Sequence, residues 1–319
     1  MCEVTVVIPN YNGKKYLCSC LEALYENTKL AFRTLVIDNG SGDGSIEEAK
    51  ERFPQAEYVL LEKNFGFCRA VNIGIKRSST PYVILLNNDT EIRKGFVEVL
   101  LRAVKQNDRI FSVESKMIQY RDQTLIDSAG TFYNALGWAF ARGKDKKIHC
   151  YSRCCRTFAA CAGAAIYRRA VFDEIGFFDE RHFAYLEDID IGYRARLHGY
   201  INLYEPEAEV IHVGSASSGS RYNEFKTKYS ARNNIYLIYK NMPLLQIILN
   251  FPFLFAGFAA KIIFFFRKGY GGIYLKGLKD GLCLCAKERK VAFKKENLTH
   301  YIRIQLELWV NIFRRFTDR

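Results

Sequence analysis

Through the first hundred residues, short apolar runs alternate with stretches of helical character. Residues 4–8, 34–37, 58–61 and 83–86 are rich in β-branched and aliphatic side chains, and each runs into polar or Gly-containing residues, as buried strands closed by loops do. Residues 17–25, 46–52 and 67–76 read as the helices between them, and Ser45 with Glu48 three positions later predicts a capping box for the second. This β-α-β-α order predicts a parallel sheet with helices on both faces. Ligands of such sheets bind beyond the C-terminal strand ends. Polar residues occupy that edge: Pro9, Asn10, Tyr11 and Asn12 after the first strand, Asp38 to Ser41 after the second, Asn64 to Gly66 after the third, and Asn87, Asn88 and Asp89 after the fourth.

Residues 110–213 mix the two patterns. A hairpin or irregular excursion is predicted for 130–143, a buried strand for 159–167, helices for 170–175 and 187–198, and two short strands for 201–204 and 210–213. Residues 244–266 differ in kind, being strongly apolar and Phe-rich but interrupted by Gln246, Asn250, Pro252 and Lys261. Spanning a bilayer takes about 20 apolar residues. With a proline break inside and Arg267 and Lys268 directly after, the segment predicts an interfacial or re-entrant element whose basic residues meet lipid headgroups. A soluble helical hairpin is the alternative.

Charge sharpens this picture. Of the net +13, +9 falls in the last 59 residues, where 14 Lys and Arg face 5 Asp and Glu. A basic tail attracts a polyanion, and its adjacency to an apolar segment points to an anionic membrane surface rather than nucleic acid. The composition shift divides the chain into residues 1–240 and a helical, apolar then basic membrane-associating region, 241–319. Met1 to Glu3 run straight into a short apolar strand, unlike a signal peptide. The ten cysteines are scattered, which together with that start suggests reduced thiols in the cytoplasm. His149, Cys150, Cys154, Cys155 and Cys161 lack the paired spacing of a zinc site.

Several side chains carry candidate chemistry. Asp38 could accept a hydrogen bond from a pyrimidine imide or simply make a turn with Gly40 and Ser41. Asp89, pinned at a strand end, suits a hard divalent cation on phosphate oxygens or, again, a turn. Glu187 and Asp188 open a helix, where the dipole favours carboxylates and where a general base would be rigidly held. Asp190 and Arg194 stand four apart and can pair. His212 becomes a functional candidate only if it reaches a metal on Asp89. It precedes Gly214 and a Ser-rich stretch from Ser215 to Ser220.

Val-Ile-Pro-Asn-Tyr-Asn (7–12), Ile-Asp-Asn-Gly-Ser (37–41), Asn-Phe-Gly-Phe-Cys-Arg-Ala-Val-Asn-Ile-Gly (64–74), Leu-Leu-Asn-Asn-Asp-Thr (85–90), Gly-Phe-Phe-Asp-Glu (176–180), Tyr-Leu-Glu-Asp-Ile-Asp-Ile-Gly-Tyr-Arg (185–194) and His212 stand in one order. Together they resemble a family-2 glycosyltransferase of the GT-A fold over about residues 3–240, closest to its bacterial rhamnosyltransferase-like branch. The resemblance implies an α/β domain with a mainly parallel central sheet. It implies that Asp38 and the loop Pro9 to Asn12, with Ser41, Gly66 and Asn88, contact the UDP or dTDP part of the donor, and that Asn64, Arg69 and Asn72 line nucleotide and sugar. Asp89 would bind Mg2+ or Mn2+, with His212 as a second metal or diphosphate contact. Asp188 would be the base of an inverting displacement, supported by Glu187, Asp190 and Arg194. The first position of the metal motif is Asn87, not Asp, which leaves the ligand number open.

A dTDP-rhamnose donor and a lipid-linked acceptor, as in O-antigen or cell-wall polysaccharide assembly at the inner face of the cell membrane, are the expected substrates. A UDP-hexose or UDP-N-acetylhexosamine donor is the alternative, and the oligomeric state, a dimer included, is open. Two other readings compete. A nucleotidyltransferase would need a Gly-rich basic loop, for which Gly13, Lys14 and Lys15 are a poor substitute. A non-catalytic membrane or nucleic-acid binder would use the tail aromatics Tyr270, Tyr274, Phe293, Tyr301 and Trp309, but the intact Asp89, Asp188 and His212 argue against it.

Overall fold

The computed structural model describes residues 2–214, 222–288 and 290–317, so the stretch from Ser215 to Ser220 lies outside the described residues. In chain order the elements are β1 (Val4–Asn10), α1 (Leu17–Asn27), β2 (Phe32–Asp38), α2 (Ser45–Arg52), β3 (Glu57–Leu60), α3 (Phe67–Arg77), β4 (Tyr82–Leu86), β5 (Thr90–Ile92), α4 (Phe96–Lys105), β6 (Ile110–Gln119), β7 (Ile126–Ser128), β8 (Thr131–Tyr133), β9 (Ala139–Ala141), β10 (Cys155–Thr157), β11 (Ala164–Arg168), α5 (Val171–Ile175), α6 (Glu187–Leu197) and β12 (Ile201–His212). Four helices follow: α7 (Glu224–Asn241), α8 (Leu244–Arg267), α9 (Gly271–Cys285) and α10 (Leu298–Thr317).

The main sheet runs β10-β12-β6-β11-β4-β1-β2-β3. The links β4-β1, β1-β2, β2-β3 and β12-β6 are parallel, while β11, β10 and the two strands off this path, β5 on β12 and β7 on β6, run against their neighbours, so six of the ten strands share one direction. A strand covered on both faces must be apolar on both. β1 meets this rule: Val4, Val6 and Ile8 enter a core with α1, α2 and α4, while Val7 enters the opposite core with α3, α5 and α6.

Three expectations change. Ser45 does not cap α2: its hydroxyl accepts from Asn10 Nδ2 (3.1 Å), and Asp43 Oδ1 takes the Ser45 N–H (3.1 Å) instead. The two short strands near 201 and 210 are one twelve-residue strand, β12, with an irregularity between Glu205 and Glu209 where Pro206 interrupts the ladder. The apolar segment is a continuous 24-residue helix through Pro252, so the proline does not break it into a re-entrant pair. The excursion at 130–143 is a hairpin, β8-β9.

The C-terminal helices share a core with the sheet domain. Tyr301, Ile304 and Leu308 of α10 and Leu254 of α8 pack with Tyr133, Phe158, Tyr193 and Leu237. α9 lies close along α7 because Gly277 and Gly281 face it; a Cβ on either would stand 2.5–2.6 Å from the Lys228 or Arg232 carbonyl oxygen. On α8, Gln246 and Asn250 are buried. Gln246 accepts from Tyr193 Oη, and Asn250 exchanges hydrogen bonds with Gln305 (2.8 and 2.9 Å) and accepts from Trp309 Nε1 (3.0 Å). The other face of α8 leaves Leu244, Ile248, Phe251 and Phe255 exposed, and α10 likewise exposes Ile302, Leu306 and Phe313. α8 is also the one helix among the described residues that is long and apolar enough to cross a membrane.

Candidate active site

The C-terminal ends of β1, β2 and β4, with α6 and the end of β12, surround a cavity of about 1280 Å³. Its lining includes Pro9, Asn10, Tyr11, Asn64, Gly66, Asn88, Asp89, Asp127, Glu187, Asp188 and His212. Asn10 is the hinge of its floor. Its amide nitrogen reaches Asp38 Oδ1 (3.0 Å), Ser41 Oγ (3.1 Å) and Ser45 Oγ, while its oxygen accepts from Asn88 Nδ2 (2.7 Å). Asp38 also accepts from Ser41 Oγ (2.5 Å) and Ser41 N (3.0 Å), so its carboxylate fastens the loop. Asn12 closes the same loop through Ser41 and Gly42. Asn64 Oδ1 accepts from Asn39 Nδ2 and from the N–H of Gly66, whose φ of +90° and contact with the Phe183 ring leave no room for a side chain.

Strand register brings Asp89 and His212 together. β5 runs antiparallel to β12 with Thr90 opposite His212, and the Val213 N–H donates to the Asp89 carbonyl (3.0 Å). This sets His212 Nε2 3.6 Å from Asp89 Oδ1, although 123 positions separate them. Adjacent ligands about 2.1–2.2 Å from an octahedral ion stand about 3.0 Å apart, so His212 and Asp89 would close by about half an ångström to share a divalent cation. Among the described residues no group of three or more His, Cys, Asp and Glu side chains converges, neither here nor around Cys150–Cys161, so further ligands would be phosphate oxygens and water.

The partner behind His212 is Asp127, which pattern alone did not flag. Its Oδ2 lies 2.9 Å from His212 Nδ1, and Lys144 pairs with its other oxygen. A carboxylate on Nδ1 fixes the tautomer and leaves Nε2 free to ligate. Burial opposes charge on both groups, but the contact outweighs it: Asp127 is held well below the usual carboxylate range, and the His212 pKa is raised by Asp127 and Asp89.

Glu187 and Asp188 stand at the start of α6. Asp188 Oδ1 accepts from the Ile189 N–H (2.7 Å), whereas Glu187 Oε2 is buried without a protein partner. Burial pushes both carboxyls above their usual range, Glu187 further because of the Asp188 charge. Asp190 behaves oppositely. Burial would raise it, but Lys240 (3.0 Å) and Arg194 (2.9 Å) outweigh that and hold it ionised. Arg194 also donates to the carbonyls of Ile175, Gly176 and Phe177. Asp190 and Arg194 therefore brace α6 from behind the cavity. Asn72 and Arg69 are likewise away from the lining: Asn72 exchanges hydrogen bonds with the Phe178 backbone (2.8 and 3.1 Å), and the Arg69 guanidinium lies over the Phe65 ring.

The sheet edge thus gathers a polar floor, the Asp89–His212 pair and two buried carboxyls around one cavity. The profile of glycosyl transferase family 2 matches residues 5–176, and the chain belongs to that family. The chain is a glycosyltransferase of GT-A-like fold, similar to a rhamnosyltransferase. That relative, the N-acetylglucosaminyl-diphospho-decaprenol L-rhamnosyltransferase of Mycobacterium tuberculosis, is 29% identical over 241 residues, 67% of this chain and 77% of that protein. Among solved structures, GalNAc-T7 with UDP, GalNAc and Mn2+ superposes with a TM-score of 0.60 at 17% identity, covering 75% of this chain and 48% of that one. Staphylococcus aureus TarS residues 1–349 with UDP-GlcNAc gives 0.59 at 16%, covering 88% and 80%.

Proposed function

We propose that this enzyme transfers L-rhamnose from dTDP-rhamnose, with inversion, to a hydroxyl of a lipid-linked saccharide in cell-surface polysaccharide assembly. The observation that carries the reading is the meeting of Asp89, His212 and Asp188 around one cavity. Asn10 and Asn88 give the floor that takes the nucleotide, with Tyr11 beside them, while Asp38 and Ser41, which lie outside the lining, hold Asn10 from behind. Asp89 and His212 would hold Mg2+ or Mn2+, which would neutralise charge growing on the diphosphate. Asp188 accepts the proton of the acceptor hydroxyl as that oxygen bonds to the anomeric carbon and the bond to the diphosphate oxygen breaks. The elevated affinity of Asp188 for a proton suits a base, and Asp127 keeps the His212 ring turned toward the ion.

The rhamnosyl donor and the acceptor are supported by likeness to the mycobacterial enzyme, whose name includes both rhamnose and a diphosphodecaprenol-linked sugar. A UDP-sugar donor is the second reading, favoured by the UDP-bound neighbours. In both, residues 1–240 form the catalytic domain and 241–319 seat it on the cytoplasmic face of an anionic membrane. A donor screen decides: dTDP-rhamnose, UDP-glucose and UDP-N-acetylhexosamines with Mg2+, Mn2+ or chelator, following nucleotide diphosphate release. Metal-dependent release of dTDP from dTDP-rhamnose is expected. Release from UDP-sugars alone replaces the first reading by the second.

A further inference from the structure

An inverting displacement requires the acceptor to approach the anomeric carbon from the side opposite the diphosphate, so residues around Asp188 and away from the nucleotide floor face the acceptor. The turn before Asp188 makes part of the lining aromatic, its Phe183 also packing on Gly66. Phe183, Tyr185 and Phe225 line the cavity together with Asp188. The Phe225 ring sits 4.5 Å from Tyr229, 5.9 Å from Tyr185 and 6.0 Å from Phe183, yet Phe225 remains 40% exposed. An aromatic ring held by its neighbours but open to a polar cavity leaves apolar surface to be covered by a ligand. The apolar C–H face of a pyranose is a ligand of that shape.

The segment presenting two of these rings is strained and clamped. Phe183, Tyr185 and Leu186 have φ of +62°, +74° and +65°, which is costly for residues with side chains. Asn233 Nδ2 of α7 donates to the carbonyls of His182, Ala184 and Tyr185 (2.9, 2.8 and 2.8 Å), and Arg232 donates to those of Arg181 and His182. One strained turn therefore sets both the rings and, directly after them, Asp188.

We propose that Phe225, with Tyr185 and Phe183, is the acceptor subsite, a platform on which the acceptor's terminal sugar ring stacks so that its hydroxyl meets Asp188. This rests on the reading of Asp188 as the base. The test uses full-length Phe225→Ala and Phe225→Trp with N-acetylglucosaminyl, galactosyl and mannosyl diphosphates on a short alkyl chain. Phe225→Ala is expected to raise the acceptor KM about tenfold while the donor KM stays within about twofold, and Phe225→Trp, which keeps a ring, to restore it. Emission of the tryptophan at 225, measured against the wild-type background, should shift saturably with the preferred saccharide. An unchanged acceptor KM in Phe225→Ala overturns the subsite, as does an equal rise in donor KM, which would assign the rings to the nucleotide. If the wild type turns over no donor, the proposed function fails; the tryptophan titration still decides the subsite, and no saturable shift with any saccharide overturns it.

Discussion

With Asp188 as the proposed base, its burial bears on stability as well as on chemistry. Burial raises the Asp188 carboxyl above the usual range, so the folded chain holds that proton more tightly than the unfolded one. The ionised site therefore costs stability, a cost that grows as pH rises through the window between the unfolded and folded values. Asp188→Asn removes the charge. Turnover should fall by roughly 10²–10⁴-fold with nucleotide affinity kept, and the urea midpoint should stay level or rise, by about 1 kcal/mol. The acid limb of kcat should lie above about pH 4, the ordinary carboxylate value, because activity needs the deprotonated base. Asp127 is a positioning residue, and Asp127→Asn leaves a ring that can rotate or change tautomer. Mn2+ affinity measured by calorimetry in the presence of nucleotide diphosphate should weaken about 10–100-fold.

At the scale of elements, α7 is the brace of the site. From this one helix Arg232 and Asn233 hold the turn before Asp188, while Lys240 and Asn241 hold Asp190. Lys240 also bonds Asp179 at 2.7 Å, and although burial opposes it, this contact draws the Asp179 carboxyl down to about 2. Stability from Asp179 and Asp190 is thus complete above about pH 4 and is lost as pH falls toward and through the folded values. Lys240→Met should destabilise by about 3 kcal/mol at neutral pH, since it removes the cation shared by two buried carboxylates and leaves Asp190 with Arg194 alone as its cation, and should flatten the acid slope of the urea midpoint. α7 was not legible in the sequence. Its buried residues include Thr227, Asn233, Asn234 and Asn241, polar side chains that hydropathy reads as surface. By contrast β1 to β4 and α1 to α3 were legible, because each buries an apolar set in its own short-range period.

For the molecule as a whole, the C-terminal helices are turned partly inside out. α8 keeps Gln246 and Asn250 in bonds to α6 and α10 and faces outward with leucine and phenylalanine, and Phe313 of α10 is 71% exposed. A helix fastened through its polar side lies on a bilayer more readily than it crosses one. Binding to vesicles containing phosphatidylglycerol should exceed binding to phosphatidylcholine vesicles and weaken with salt. Phe251→Ser with Phe255→Ser should lower partition about tenfold without changing donor turnover in solution. Binding to neither vesicle type would remove the membrane from the functional reading, and equal binding to both would remove the anionic preference.

The sequence by itself determined the strand-helix alternation, the polar edge where ligands gather, and Asp89, Asp188 and His212 as candidates, because period and strand-end position are local properties of the chain. The tertiary structure decided what these groups do to one another. β12 carried His212 to Asp89 through strand register, Asp127 arrived behind it from β7, Asn72 and Arg69 turned to other partners, and α7 came from the far end of the domain to hold the turn before Asp188. Such contacts between residues about 50 to 120 apart depend on register and packing, which no short window of sequence contains.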